Sequence, residues 1–448
     1  MNSLGLKTIN KSFILQFLRI LLFIPAITVV WVVSGDLPNG VMTGKKFWFY
    51  GVIVVISVNV FIYSLFARKS FYFSWQDVFV ILFCVSGLAV TWFHNGSLSN
   101  KGIMLLLVVS LYFCLRYMLQ NNFKGSALLM LFLLITGLVE AFWGLLQLYG
   151  FCRSYHNLYQ VTGSFFNPSP YAGYLAMVIP IAVNYCLFDS RVYLSKRSSC
   201  FLLFYFRGGI SILVLISVFV ILPSTMSRAA WLAAAGGSIW PLVAYYRRKR
   251  KLQKTFIIFR RLIAGRRKYI IIFIAFILFA GVYYFKKDSA DGRLLIWKIS
   301  TQVIIRHPFG VGSGNFAGSY GEQQASYFAS EAGTAQEHYV AGSPDYGFNE
   351  YLQIGVEYGI HGLLLFIAIV CNAVFAGIKT KRSAVVGSLG ALLIFASMSY
   401  PFNVLPICIF ASFMFCRQKV WRFGKAIWQV YYSRMVRIIT CHNYSQHL

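Results

Sequence analysis

Two arginines stand where an apolar chain has little structural use for them. Arg228 opens an apolar run in Ser224-Thr225-Met226-Ser227-Arg228-Ala229, and Arg293 follows Asp291-Gly292 at the head of a polar stretch. A guanidinium stays charged and presents a planar fork that matches phosphate oxygens, so both are candidates for gripping a phosphate. Near a helix N-terminus, Arg293 would add its charge to backbone donors that already favour an anion. The competing readings are structural: a snorkelling side chain for Arg228, and a solvated residue or a partner of Asp291 for Arg293. Glu140 is a third candidate. A carboxylate inside an apolar run either takes part in function or ties helices together by hydrogen bonds. Gly310, Gly312 and Gly314 alternate with other residues, but their spacing fits neither the dinucleotide nor the Walker fingerprint, and they read as a turn. There is no H-E-x-x-H, no D-x-D and no carboxylate cluster with ligand spacing, so neither a metal nor a cofactor is expected.

The elements that must hold these groups are apolar. Of 448 residues, 58% are hydrophobic and 12% charged, and the mean hydropathy is +0.66. A soluble domain is less apolar and about twice as charged, which leaves a chain solvated mainly by lipid. Twelve apolar runs are long enough, or nearly so, to span as helices: 13–33, 47–66, 75–92, 103–119, 126–149, 171–188, 210–222, 229–245, 269–284, 349–378, 385–399 and 405–415. The first is too long for a signal-peptide core and lacks a small-residue cleavage site, so it reads as an uncleaved anchor. The tenth is interrupted by Gly359 and Gly362. The fold expected is all-α and polytopic, with about 12 transmembrane helices and a large loop between helices 9 and 10. Helices 1–9 occupy 1–284, the loop 285–348, helices 10–12 349–415, and a basic tail 416–448. Within the loop, 292–306 has the pattern of an amphipathic helix with Asp291 as its cap, ended by Pro308 and the three glycines.

The net charge is +29, from 41 basic against 12 acidic residues. In a soluble protein this balance would suggest nucleic acid. Here the basic residues fall between apolar runs, no basic stripe is interleaved with stacking aromatics, and no nucleic-acid partner is expected. With the N-terminus in the cytoplasm, 31 of the 41 basic residues lie on the cytoplasmic side and 10 on the outer side. That asymmetry sets the orientation, with both termini inside and membrane lipids as neighbours. Reporter fusions at Arg250 and at the C-terminus are therefore expected to report cytoplasm, and one at Gly333 the outer side. A cytoplasmic signal at Gly333 would remove any chemistry from the 285–348 loop. Of the nine cysteines only Cys152 falls in an outer segment, so no disulfide is expected.

Four segments in order resemble one family. Thr162-Gly163-Ser164-Phe165-Phe166-Asn167-Pro168-Ser169-Pro170-Tyr171-Ala172-Gly173-Tyr174-Leu175-Ala176 is similar to a span opening in the O-antigen ligase/polymerase superfamily of bacterial envelope glycosyltransferases. Ser227-Arg228 followed by small residues resembles its S-R-A/G motif. Gly292-Arg293 with Trp297, then His307-Pro308-Phe309-Gly310, looks like the start of its large periplasmic loop. Asn349-Glu350-Tyr351-Leu352-Gln353 with Glu357, Gly359 and Gly362 resembles the motif that closes that loop. The resemblance spans about 162–362.

The resemblance implies a glycan donor on undecaprenyl pyrophosphate and transfer to an acceptor hydroxyl at the periplasmic face of the bacterial inner membrane, without metal or nucleotide. The leading acceptor is lipid A–core, and the family alternatives are a protein, by O-oligosaccharyl transfer, or a growing polysaccharide, by polymerisation. A transporter or flippase for a lipid-linked sugar is the reading from another class, disfavoured because only Glu140 lies near a midplane and no internal repeat is visible. Arg228 and Arg293 would hold the donor pyrophosphate, with Asn167, Asn349 and Glu140 as possible support. The family histidine before the Asn is replaced by Phe348, which cannot move a proton. The candidate catalytic groups are therefore Glu350, inside the motif and next to the vacant position, and His338, ten residues upstream of it.

Overall fold

A computed structural model describes residues 20–67, 71–120, 123–189, 201–248, 287–331 and 333–416. Among these residues the chain is all helical. The helices are α1 (Ile24–Ile27), α2 (Gly40–Ala67), α3 (Trp75–Asn95), α4 (Asn100–Leu119), α5 (Phe123–Leu148), α6 (Pro168–Asp189) and α7 (Phe201–Ser224). They continue with α8 (Arg228–Arg248), α9 (Lys287–Arg306), α10 (Phe316–Ala329), α11 (Ala335–Val340), α12 (Glu350–Lys379), α13 (Ser383–Ala396) and α14 (Leu405–Cys416). Seven of them, α2 to α7 and α12, are long and apolar enough to cross a membrane, and α13 and α14 are shorter apolar helices. Large apolar side chains such as Phe61, Leu65, Ile216 and Phe219 remain exposed on α2 and α7, a surface suited to lipid rather than water. The protein is a polytopic helical membrane protein. The run at 269–284 and the tail beyond 416 lie outside the described residues.

Two expected elements differ. The described part of the first run is not a continuous helix: α1 gives way to a 3-10 turn, Thr28–Trp31, with Pro25 at the start of α1. Val30 O in this turn accepts from Ser164 Oγ, so the irregular backbone is satisfied by tertiary contacts rather than by its own helix. The amphipathic helix of the loop is already formed at Lys287, the first described residue there, and does not start after Asp291. Asp291 is therefore inside α9 and not at its start, and Arg293 lies more than a turn into the described part of the helix.

The tightest packing is among α6, α8 and α13. Ala230, Ala233, Ala234 and Gly237 give α8 a face of small residues, and all are buried. A Cβ on Gly237 would lie 2.7 Å from Gly387 O, so the two backbones meet directly. Small-residue faces of this kind let helices associate in lipid, where apolar burial offers little net gain. At the other edge, α3 and α4 are tied by a buried ion pair, Arg116 Nη2 to Asp77 Oδ2 at 2.8 Å, with Tyr112 donating to Asp77 Oδ1 at 2.7 Å.

The expected interruption in the tenth run is real and has a partner. Gly359 in α12 adopts φ 72°, ψ −178°. Into that break docks the segment Pro308–Gly312. Val311 N donates to Val356 O, Gly312 N to Glu357 O, and Ile360 N to Pro308 O, each at 2.9 Å. A Cβ on Gly310 would stand 2.5 Å from Gly359 N, and one on Gly359 2.5 Å from Phe309 C. The segment Pro308–Gly312 thus forms a strap on a membrane helix, and Gly310 is the glycine at which the two backbones approach closely. Gly359→Ala is expected to cost about 1–3 kcal/mol for a positive-φ backbone that essentially only glycine adopts, with a further 1–3 kcal/mol, roughly, from overlap with the strap. The check is the thermal unfolding midpoint of the detergent-solubilised protein, which should fall clearly below that of Gly318→Ala, where nothing lies within 4 Å of the new Cβ.

Candidate functional site

Helices α9, α10 and α11 build a small layer with its own core of Leu295, Ile299, Val303, Phe316, Tyr320 and Tyr327. A capping box, Thr334 with Glu337, starts α11. Glu337 then pairs with Lys298 on α9 at 2.7 Å, and the Lys298 and Thr334 hydrogen bonds hold its carboxyl down to about 2. His338 is exposed on α11 with its ring 4.2 Å from that of Phe328. Its position is set by this layer.

The layer delivers Arg293 to the end of the bundle. Arg293 Nη1 donates to Met398 O at 3.1 Å, and the guanidinium lies 5.2 Å from the ring centre of Phe348. Among the described residues no carboxylate pairs with it. Burial lowers its proton affinity, and the nearby charge of Arg228 lowers it further. The arginines, 65 positions apart in the chain, are therefore neighbours that repel. Arg228 is the first residue of α8, after a turn in which Met226 has φ 51° and Trp231 Nε1 ties back to Leu222 O at 2.9 Å. The helix N-terminus expected beneath Arg293 lies instead beneath Arg228, so backbone donors and one guanidinium coincide there. Two cations held close, one of them facing only a carbonyl and a ring, favour an incoming anion.

The turn after α13 organises the rest. Met398 O receives Arg293, the ring of Tyr400 packs edge-on against Phe348 at 5.4 Å, and Phe402 N donates to Glu350 Oε2 at 3.4 Å. Tyr346 stacks on Tyr400 with centroids 4.4 Å apart and planes 15° apart. Burial raises the hydroxyl pKa of both tyrosines. Phe348 has φ 45°, a conformation costly for a bulky residue and held here by Arg293 above it and Tyr400 beside it.

Glu350 is the first residue of α12 and only 1% exposed. No described side chain donates to it. One turn on, Gln353 Nε2 donates to Glu357 Oε1 at 3.1 Å, and Glu357 is paired with Lys101 at 2.7 Å. Asn349 is the N-cap of α12, with its Oδ1 accepting from Tyr351 N and Leu352 N, so its side chain aims Glu350 inward.

The segment 162–176 is fixed from three sides. Gln147 Oε1 accepts from Thr162 N and Gly163 N, Glu140 Oε2 from Ser164 N at 3.1 Å, and Lys45 Nζ donates to Ser164 O at 2.9 Å. Glu140 is fully buried, and in this structure it clamps the turn. Asn167 Oδ1 accepts from Ser169 N at 3.1 Å and starts α6. Ser169 Oγ lies 3.3 Å from Ser399 Oγ, which joins this segment to the organising turn.

The structure thus brings together Arg228, Arg293, Phe348 and Tyr400, with Glu350 beneath the same turn. It places His338 in the loop's own layer, and Glu140 and Asn167 in the support of segment 162–176. Sequence reading missed Tyr346, Tyr400 and Lys101 as site residues. The available signal was the proline in Tyr400-Pro401-Phe402-Asn403, which marks a turn between two apolar runs.

Among the described residues, Arg293 with the nearby charge of Arg228 and the buried carboxyl of Glu350 lie around one turn of a helical membrane bundle. Residues 212–367 match a family described as O-antigen ligase, and this match supports membership of the O-antigen ligase superfamily. The match supports an O-antigen ligase- or polymerase-type function, suggests a glycosyl-transfer type of reaction, and implies lipid-linked glycan and acceptor partners in general terms. None of the curated proteins matches the chain.

Proposed function

We propose that the protein is a metal-independent glycan ligase of the bacterial inner membrane, with both termini cytoplasmic. It transfers O-antigen or a related polysaccharide from undecaprenyl pyrophosphate to a hydroxyl of lipid A–core at the periplasmic face. The observation that carries this reading is the convergence of Arg228 and Arg293, with no described carboxylate pairing with Arg293. A pyrophosphate is the leaving group, so negative charge grows on it as the sugar–oxygen bond breaks. Fixed guanidinium groups in a water-poor site stabilise that charge without reorganising. The acceptor oxygen forms the new bond to the sugar and gives up its proton. Glu350 takes that proton, held under the 398–402 turn with no described side-chain donor of its own. The stacked Tyr346 and Tyr400 offer an aromatic face for a sugar ring.

The test is a deletion strain in which lipopolysaccharide and periplasmic glycoproteins are run side by side. Loss of long-chain lipopolysaccharide, restored by the wild-type gene, is the expected result. Loss of glycoprotein signal alone would assign the acceptor to protein, and a change in chain length alone would assign polymerisation.

A further inference from the structure

Beneath Glu350, between α3, α4, α12 and α14, lies a cavity of about 170 Å³. Its wall is apolar along almost its whole length, from Met104 and Val108 on α4 and Phe366 and Ile369 on α12 to Ala411 and Phe415 on α14. The charged groups among its lining residues are Glu350, Glu357 and Lys101, with Gln353 beside them; Tyr112 and Ser412 also line it, but their hydroxyls are already bonded to Asp77 Oδ1 and Cys408 O. An apolar void of roughly 150 Å³ stays dry and takes an apolar guest, so this wall is complementary to a hydrocarbon segment and not to water.

The polar end selects the head of such a guest. Lys101 and Glu357 neutralise each other at 2.7 Å, and Gln353 is bonded to Glu357. What remains is Glu350, 1% exposed, which among the described residues holds a single long hydrogen bond, from Phe402 N at 3.4 Å. A buried carboxyl short of partners is satisfied by a hydrogen-bond donor. A phosphate or carboxylate head would instead find Lys101, the one cation among the described lining residues, already paired with Glu357, and so would lie uncompensated in a low-dielectric site.

We propose that this cavity is a binding site for an apolar chain ending in a hydroxyl, seated with the hydroxyl on Glu350 and the chain along α4 and α14. It is distinct from the arginine pair, which takes the anionic group. Taken with the ligase reading, on which this last step rests, it puts a lipid-borne hydroxyl on the carboxyl assigned as proton acceptor.

The experiment uses the purified full chain in nanodiscs and two photoreactive probes with the same long alkyl chain, one an alcohol and one a monophosphate. The alcohol should label peptides from 104–112 and 405–416, and the monophosphate should label them at least about tenfold less. Ala411→Phe, which fills the wall, should abolish this labelling. Should that variant not fold, excess unlabelled alcohol competing the signal away in the wild type serves in its place. Glu350→Leu should remove the preference for alcohol over phosphate. Equal labelling by both probes, or labelling that spreads over α2 and α7 and survives Ala411→Phe and competition, overturns the site. Glycan transfer is scored separately: labelling without transfer sinks the ligase reading and leaves the site, whereas transfer without labelling does the reverse.

Discussion

Arg293→Ala and Arg228→Ala are each expected to lower glycan transfer by about two to three orders of magnitude, the usual cost of removing one fixed donor to a developing anion. Membrane insertion and expression should be unchanged, because among the described residues Arg293 bonds to one carbonyl and lies over one ring, and neither contact holds two membrane helices together. The expectation follows from the cost the protein already bears. Two guanidinium groups repel in a partly buried site, and Arg293 is depleted of water without gaining a carboxylate. Such an arrangement is stabilised when an anion arrives. Lysine should rescue poorly at position 293, since a point charge cannot both donate to Met398 O and lie flat over Phe348 while binding phosphate. The measurement is initial rate with purified protein and lipid-linked donor, at matched protein levels. Full activity in either alanine variant would reduce that arginine to a structural part.

The second large effect is at the carboxyl. Glu350→Gln should lower transfer by about 10²–10⁴, the range of general acid–base contributions, while His338→Ala should leave it nearly unchanged. The amide keeps the shape of the side chain, and its oxygen can still accept from Phe402 N, so the loss would report proton transfer rather than collapse of the α12 start. His338 serves as the internal comparison, since it lies on the loop surface against Phe328. Loss in His338→Ala alone would reverse the assignment. Full activity in both variants would mean that the leaving phosphate itself takes the proton.

Much of the architecture was written locally. Hydropathy over windows of about 20 residues reports helices directly, because in lipid a spanning backbone must satisfy itself. The runs at 47–66, 75–92, 103–119 and 126–149 accordingly reappear as α2 to α5. The break at Gly359 was legible for the same reason, since glycine tolerates a backbone that other residues resist. The first run misled because its backbone is satisfied from outside, by Ser164. The start of α9 misled because Asp-Gly resembles a helix start, yet the helix simply runs through it.

The site was legible only as a list of suspects. Residue type named Arg228, Arg293 and Glu350, since guanidinium and carboxyl chemistry do not depend on the fold. Which of them meet was decided by tertiary structure. The 398–402 turn uses three alternate residues to hold Arg293, Phe348 and Glu350, and no local pattern in 398–402 announces partners so distant in the chain. Glu140 shows the other side of the same limit. Its sequence context allowed catalysis or a structural tie, and its hydrogen bond to Ser164 N places it in the support of a turn. Sequence fixes which chemistry each side chain can perform, whereas convergence depends on long-range packing, here the glycine strap on α12 and the small-residue face of α8, which set how closely the helices approach.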